Sequence, residues 1–121
     1  MSRSNVMATF LIVDDNAGFR RTARALLESE GWDVVEAETA GAGVESAREL
    51  HSPYVLLDVQ LPDFDGFEAA ERLALLDPPP AVILTSSRDG ADYGSLIETS
   101  RARGFIPKGE LSGDAIRALL A

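Results

Sequence analysis

The stretch Thr9-Phe-Leu-Ile-Val-Asp-Asp15 decides the fold of this chain. A short run of mostly β-branched and aromatic residues stops abruptly at two acids, a pattern typical of a buried parallel strand. The pattern recurs at Tyr54-Val-Leu-Leu-Asp58, which follows the chain-breaking Pro53 and again ends on an acid. We therefore expect two buried strands whose ends carry carboxylates.

Three further strands are predicted from apolar runs at Trp32–Ala37, Ala81–Thr85 and Gly104–Pro107. Ser86 and Ser87 are expected in the loop after the fourth strand. Helices are predicted wherever a capping side chain precedes apolar residues at helical spacing. The predicted helices run from Asn16 to Gly31 with arginines facing water, from Thr39 to Leu50, from Asp65 to about Leu76, and onward from Ser112.

The segment from Arg88 to Arg103 is predicted to be helical only in part. Gly90 and Gly94 interrupt it, and few apolar residues mark a buried face. We expect a short, mobile fourth helix here. Strands that alternate with helices across short loops predict an α/β fold, with a parallel sheet and helices on both faces.

Composition limits both the class of protein and its chemistry. The length of 121 residues suits a single domain over 1–121, with residues 1–7 expected to be a flexible N-terminal segment. The absence of cysteine excludes disulfides and thiolate chemistry, and the net charge of −9 disfavours direct binding to nucleic acid or to anionic membranes. Without a signal peptide or a long apolar span, we expect a soluble cytoplasmic protein.

Polar residues end or follow four of the predicted strands, at the edge where parallel sheets bind ligands. They are Asp14 and Asp15, Asp58, Thr85 and Lys108, the only lysine. Carboxylates that converge repel one another, and a hard divalent cation such as Mg2+ relieves that repulsion. Because Mg2+ keeps open positions for phosphoryl oxygens, we predict phosphoryl transfer with Asp58 as the nucleophile.

Each of these residues alone has a simpler structural explanation. Asp14 and Asp15 could favour the following helix through its dipole, and Lys108 could be a solvated surface amine. The residues Pro62, Asp63, Asp65 and Gly66 are better explained as turn and cap chemistry than as ligands. Only the joint pattern makes the functional interpretation the stronger one.

Four segments together resemble the signatures of response regulator receiver domains. They are Leu11-Ile-Val-Asp-Asp15, Leu56-Leu-Asp-Val-Gln-Leu-Pro-Asp-Phe-Asp-Gly66, Ile83-Leu-Thr-Ser86 and Gly104-Phe-Ile-Pro-Lys108, and their order and spacing cover nearly the whole chain. The resemblance implies a flavodoxin-like, doubly wound, five-stranded parallel sheet of order 2-1-3-4-5 with five helices.

The resemblance also assigns site residues. It implies that Asp58 is the phosphoacceptor and that Mg2+ is held by Asp14, Asp15, Asp58 and the backbone carbonyl of Gln60. Lys108 would contact the phosphoryl group, and Thr85 would bond a phosphoryl oxygen. Phe105 would swing inward with Thr85 as the switch. Many receivers have a proline directly after the lysine, but here Gly109 follows and Pro107 precedes, so the isomer of neither flanking peptide bond is carried over.

By the same resemblance, a sensor histidine kinase or a phosphotransfer protein would supply the phosphoryl group. A downstream effector protein or output domain would read the face formed by the fourth helix, fifth strand and fifth helix, where a homodimer could also form. The chain would catalyse only its own phosphorylation and dephosphorylation. Two alternatives remain: an interaction module of this fold that works without phosphorylation, and an aspartyl-phosphate hydrolase like the haloacid dehalogenase group, in which Gln60 occupies the place of a second acid.

Overall fold

A five-stranded parallel sheet forms the centre of the protein, for which the computed structural model describes residues 9–121. The predicted flexible segment 1–7 lies outside these residues. The strand order is β2-β1-β3-β4-β5, as expected. The strands are β1 (Thr9–Val13), β2 (Asp33–Ala37), β3 (Tyr54–Asp58), β4 (Ala81–Ser86) and β5 (Gly104–Pro107).

Five α-helices connect the strands or follow the last one. They are α1 (Ala17–Ser29), α2 (Ala40–Leu50), α3 (Gly66–Ala74), α4 (Leu96–Thr99) and α5 (Gly113–Leu120). The four predicted caps are confirmed, because the side chains of Asn16, Thr39, Asp65 and Ser112 each accept a hydrogen bond from the backbone N–H three residues later. No helix within residues 9–121 is long and apolar enough to span a bilayer.

Three predicted boundaries were wrong. Strand β2 begins at Asp33 rather than at Trp32, whose N–H instead donates to the carbonyl of Leu27 in α1. Helix α3 ends at Ala74 rather than near Leu76, since the N–H groups of Leu75 and Leu76 bond to carbonyls three residues back, closing a tighter last turn. The prolines that begin at Pro78 favour extended backbone before them. Ser86, predicted in the exit loop, is the last residue of β4 because its backbone stays in register with Pro107 of β5.

Apolar side chains alternate between the two faces of the sheet, so helices cover both. One core contains Leu11, Val13, Val55 and Leu57, on which α2 and α3 pack. The other core includes Phe10, Ile12, Leu56 and Ile83, which are covered by α1 and α5. This alternation explains why the strands are continuous apolar runs, since both faces are buried.

The arginines of α1 do not all face water, contrary to the prediction. The side chain of Arg20 is only 12% exposed, and its Nε donates to Glu36 Oε1 at 2.8 Å. Arg24 reaches the other carboxylate oxygen of Glu36 at 2.6 Å. The hydrogen bond from Arg24, with help from Arg20, lowers the pKa of Glu36 against the opposing effect of desolvation. These pairs tie α1 to β2 because helix and strand lie side by side.

The segment between β4 and β5 has the least regular structure. A 3₁₀ helix spans Gly90–Tyr93, α4 has only four residues, and neither contains a buried residue. The only cis peptide bond among residues 9–121 is Asp77–Pro78, so both bonds flanking Lys108 are trans.

We predict that amide hydrogen exchange is faster in residues 90–103 than in α1. Few buried apolar contacts protect this segment, so local opening costs less free energy there. Mass spectrometry or NMR of the exchanging protein measures the difference. Equal or greater protection of 90–103 would show that its contacts are stronger than its burial indicates.

Candidate functional site

Three carboxylates meet at the carboxyl ends of β1 and β3. Asp14 and Asp15 follow β1, Asp58 closes β3, and one oxygen from each lies within 4.8 Å of the others. Asp14 and Asp58 are 0% and 4% exposed, whereas Asp15 is open to solvent. Adjacent parallel strands bring together acids that are more than forty residues apart in the chain.

Lys108 supplies the nearby positive charge. Its Nζ lies 2.8 Å from Asp14 Oδ2, 3.9 Å from Asp58 Oδ2 and 4.4 Å from the centre of the Phe19 ring. The contact with Asp14 is an ion pair but not a well-directed hydrogen bond, because the buried Oδ2 has no hydrogen-bond partner among the described residues. One ammonium leaves an excess of negative charge when all three carboxylates are ionised.

Burial perturbs Asp58 strongly. Desolvation first, then the charge of Asp14, raises the pKa of Asp58 to about 6. The charge of Lys108 and a hydrogen bond from the Gln60 N–H, 3.4 Å from Asp58 Oδ1, act in the opposite direction. These carboxylates therefore hold their negative charge at a cost in free energy that a bound cation would reduce.

The cluster fits a hard divalent cation. Its donors are all carboxylate oxygens, and one buried oxygen, Asp14 Oδ2, still lacks a directed partner. A cation would also offset the repulsion between Asp14 and Asp58. The structure thus brings together the predicted ligands Asp14, Asp15 and Asp58, with Gln60 in the loop beside them.

Thr85 lies next to Asp58, but its hydroxyl points elsewhere. The two residues are partners in the β3–β4 register, and Thr85 is completely buried. Its Oγ1 donates to the carbonyl of Ile106 on β5 at 2.6 Å. Any contact between Thr85 and a phosphoryl oxygen therefore requires this bond to break. Phe105 is half-buried on β5, where its ring packs edge-on against Tyr93 at 5.9 Å between centroids.

Sequence reasoning missed Arg20 as a support of the site. Its Nη1 donates to the backbone carbonyl of Asp14 at 2.7 Å while its Nε binds Glu36. The side chain therefore fixes the turn after β1. Its position in a charged helix offered no signal, because two more arginines, Arg21 and Arg24, lie within four residues.

Gly66 acts through its lack of a side chain. A Cβ there would lie 2.3 Å from the Asp58 carbonyl oxygen and 2.8 Å from Val59 Cα. The Gly66 N–H donates to the Val59 carbonyl at 2.7 Å. The first turn of α3 can thus pack directly on the backbone that carries Asp58. The sequence predicted only a turn role for Gly66, and this close packing is a second role.

Asp63 lies in the loop between β3 and α3 but caps helix α2. Its carboxylate accepts from the N–H groups of Gly41 and Ala40 at 2.8 and 2.9 Å, at the start of α2. These bonds, chiefly that from Gly41, lower the pKa of Asp63. They anchor the loop after Asp58, which agrees with the predicted cap chemistry but joins two separate elements.

We predict that Asp58 makes the metal-free protein less stable as pH rises. Its pKa is about 6 in the folded protein and near 3.8, the ordinary value of an aspartate, in the unfolded chain. Between these values the native state binds more protons than the unfolded state, so the free energy of unfolding falls with rising pH. Asp58→Asn removes this titration and should gain roughly 1–3 kcal/mol over the wild type between pH 4 and pH 7.

Urea unfolding with a chelator present, at several pH values, measures this difference. Asp33→Asn, on the exposed start of β2, is the matched control and should show no comparable gain. A difference between Asp58→Asn and wild type that stays constant over this range would contradict the raised pKa.

We predict that Gly66→Ala lowers the free energy of unfolding by about 1–3 kcal/mol, the usual cost of forcing extra volume into a packed site. Gly18→Ala is the control, since it also lies in the first turn of a helix and its Cβ would meet only the Asn16 side chain at 3.3 Å. Chemical denaturation compares the two. Equal stabilities would mean that α3 can move away from Asp58 without cost.

Curated relatives align over most of this chain but extend beyond it. The transcriptional regulatory protein AfsQ1 of Streptomyces coelicolor is 31% identical over 117 residues, which cover 94% of this chain and 52% of that protein. A protein-glutamate methylesterase/protein-glutamine glutaminase of Alkalilimnicola ehrlichii is 34% identical over 109 residues, which are 86% of this chain and 28% of the relative. The chain spans about half of the length of the curated relatives it matches, or less.

Solved structures match the fold over nearly the same residues. A CheY-like response regulator receiver domain protein from Methanospirillum hungatei superimposes with a TM-score of 0.83 and 26% identity, over 94% of this chain and 91% of that one. A LuxR-family two-component response regulator from Aurantimonas gives a TM-score of 0.83 and 28% identity, over 94% and 85% of the two chains.

A family model described as the response regulator receiver domain matches residues 10–120. That match runs from the first buried strand to the last helix and includes the acid cluster, Thr85 and Lys108. This chain therefore belongs to the response regulator receiver domain family.

Proposed function

We propose that this chain is a phosphorylation-activated signalling switch in which Asp58 is the phosphoacceptor. One observation carries the proposal: a buried carboxylate meets two other acids within 4.8 Å and lies 3.9 Å from the amine of Lys108. That arrangement suits a nucleophile surrounded by groups that offset charge on a phosphoryl group. Asp14, Asp15, Asp58 and the Gln60 carbonyl are the proposed holders of Mg2+.

The chemical step is a transfer from a phosphodonor to Asp58. An oxygen of the Asp58 carboxylate forms a bond to phosphorus as the bond to the donor breaks, which is P–N in a phosphohistidine and P–O in acetyl phosphate. The leaving imidazole or acetate takes the bonding electrons. When bound, Mg2+ supplies positive charge against the phosphoryl oxygens. Lys108 would add its own positive charge against the phosphoryl oxygens, for which it must first loosen its ion pair with Asp14.

The conformational response would begin at Thr85. Its hydroxyl is held by the Ile106 carbonyl on β5, and a phosphoryl oxygen on the adjacent Asp58 would compete for it. Phe105, the neighbour of Ile106, is the proposed second switch residue. A shift in these residues would alter the α4-β5-α5 face, because β5 lies between α4 and α5 in the chain.

The partners follow from this role. A sensor histidine kinase or phosphotransfer protein would donate the phosphoryl group, and an effector protein or output domain would bind the α4-β5-α5 face, where a homodimer is a further proposal. Residues 1–121 would form one receiver domain in the cytoplasm. The chain would catalyse only its own phosphorylation and dephosphorylation.

We predict Mg2+-dependent labelling by acetyl phosphate at Asp58. Intact-mass spectrometry should detect one phosphoryl adduct on the wild type, and a chelator or Asp58→Asn should reduce it by more than tenfold because each removes an essential part of the transfer. Asp33→Asn, far from the cluster, should label as the wild type does. Absence of an adduct on the wild type with Mg2+ present would favour an interaction module that works without phosphorylation.

Repeated turnover of an external phosphate ester would distinguish a hydrolase from the proposed switch. If the chain were an aspartyl-phosphate hydrolase, it would release phosphate continuously from para-nitrophenyl phosphate. The switch instead predicts at most slow loss of its own phosphoryl group. Sustained hydrolysis that disappears in Asp58→Asn would overturn the switch in favour of the enzyme.

A further inference from the structure

The hydroxyl of Tyr93 contacts the last residue of β4, which follows Thr85 in the chain. Its oxygen is 2.6 Å from Ser86 Oγ, a buried atom on the last residue of β4. Ser86 Oγ also accepts a hydrogen bond from the N–H of Arg88 at 3.1 Å. These two hydrogen bonds hold residues 86–88, which we call the β4 exit. One of them connects the β4 exit to the 3₁₀ helix Gly90–Tyr93.

The Tyr93 ring lies between two other aromatic rings. Its centroid is 5.6 Å from that of Phe67 on α3 and 5.9 Å from that of Phe105 on β5, and both contacts are edge-to-face. The 3₁₀ helix also packs on Phe105, since a Cβ at Gly90 would lie 3.4 Å from that ring. Tyr93 thus joins the helix beside Asp58 to the strand that holds the proposed switch residue.

Phe105 has no hydroxyl that could form a hydrogen bond with the β4 exit. The adjacent ring of Tyr93 does have one, and it is bonded to the residue that follows Thr85. Thr85 and Ser86 are consecutive in β4, and each is held by a hydrogen bond, the first to Ile106 and the second to Tyr93. Because one peptide bond joins Thr85 to Ser86, movement of Thr85 toward Asp58 would disturb the contact between Ser86 and Tyr93.

We infer that Tyr93 is a positioning residue that stabilises the unphosphorylated arrangement of the β4 exit through its bond to Ser86. The inference rests on the proposed function, because it concerns the response to a phosphoryl group on Asp58. A single neutral hydrogen bond contributes only a modest net free energy. Its removal should therefore shift the conformational equilibrium about twofold to tenfold.

The test is a double-mutant cycle on this hydrogen bond. Tyr93→Phe keeps the stacked ring and removes the hydroxyl, and Ser86→Ala removes the partner. Beryllofluoride with Mg2+ mimics the phosphoryl group, and calorimetric titration measures its affinity. Each single variant should bind about twofold to tenfold more tightly than wild type, and the double variant should gain nothing beyond the larger single effect. Tyr54→Phe, whose ring lies in the opposite core, is the control and should bind as wild type does.

Amide exchange on the same proteins gives a readout that does not depend on the phosphoryl mimic. Residues 88–93 should exchange faster in Tyr93→Phe and in Ser86→Ala, while α1 stays unchanged. Additive effects in the cycle, unchanged or weaker binding by Tyr93→Phe, or unaltered exchange would each overturn the inference. In those cases binding by the wild type leaves the proposed function standing. If the wild type itself fails to bind beryllofluoride with Mg2+, the proposed function falls and this inference falls with it.

Discussion

Repulsion among carboxylates at one edge of the sheet is the constraint to which the site is adapted. Asp14 and Asp58 are buried beside each other, and the single ammonium of Lys108 balances only part of their charge together with that of Asp15. Buried charge without full compensation is costly in free energy. Part of this cost appears as the raised pKa of Asp58, and a divalent cation or a phosphoryl group with its counter-charges would change the balance. In the proposed function, phosphoryl transfer and the conformational response are two consequences of this electrostatic imbalance.

The scaffold resists this repulsion by fixing the backbone around the acids. Arg20 holds the Asp14 carbonyl, Gly66 lets α3 pack on the Asp58 carbonyl, and Asp63 ties the following loop to α2. None of these residues is a proposed ligand. Together they restrict the movement by which the acids could separate. The repulsion between the carboxylates is therefore reduced by a bound cation or by protonation rather than by separation.

Much of the fold and of the acid cluster was predictable because the physical rules involved are local. Strand runs that end on acids, such as the one that closes at Asp58, define both the sheet and its polar edge, and parallel topology brings those edges together. The remaining features depend on distances that no local pattern encodes. Asp63 caps a helix that begins more than twenty residues earlier, and the Thr85 hydroxyl bonds to a strand twenty-one residues later. The contact between Tyr93 and Ser86 likewise depends on how a glycine-interrupted segment folds back on β4.

The central claim is that residues from separate strands gather so that an oxygen of Asp58 faces phosphorus beside a metal. A crystal structure with Mg2+ and beryllofluoride tests it most directly. We expect beryllium bonded to an Asp58 oxygen, Mg2+ in contact with that carboxylate and with the acids that follow β1, and Lys108 turned from Asp14 toward the fluorides. Mg2+ bound away from this cluster, or a bare Asp58 carboxylate at saturating beryllofluoride, would contradict it.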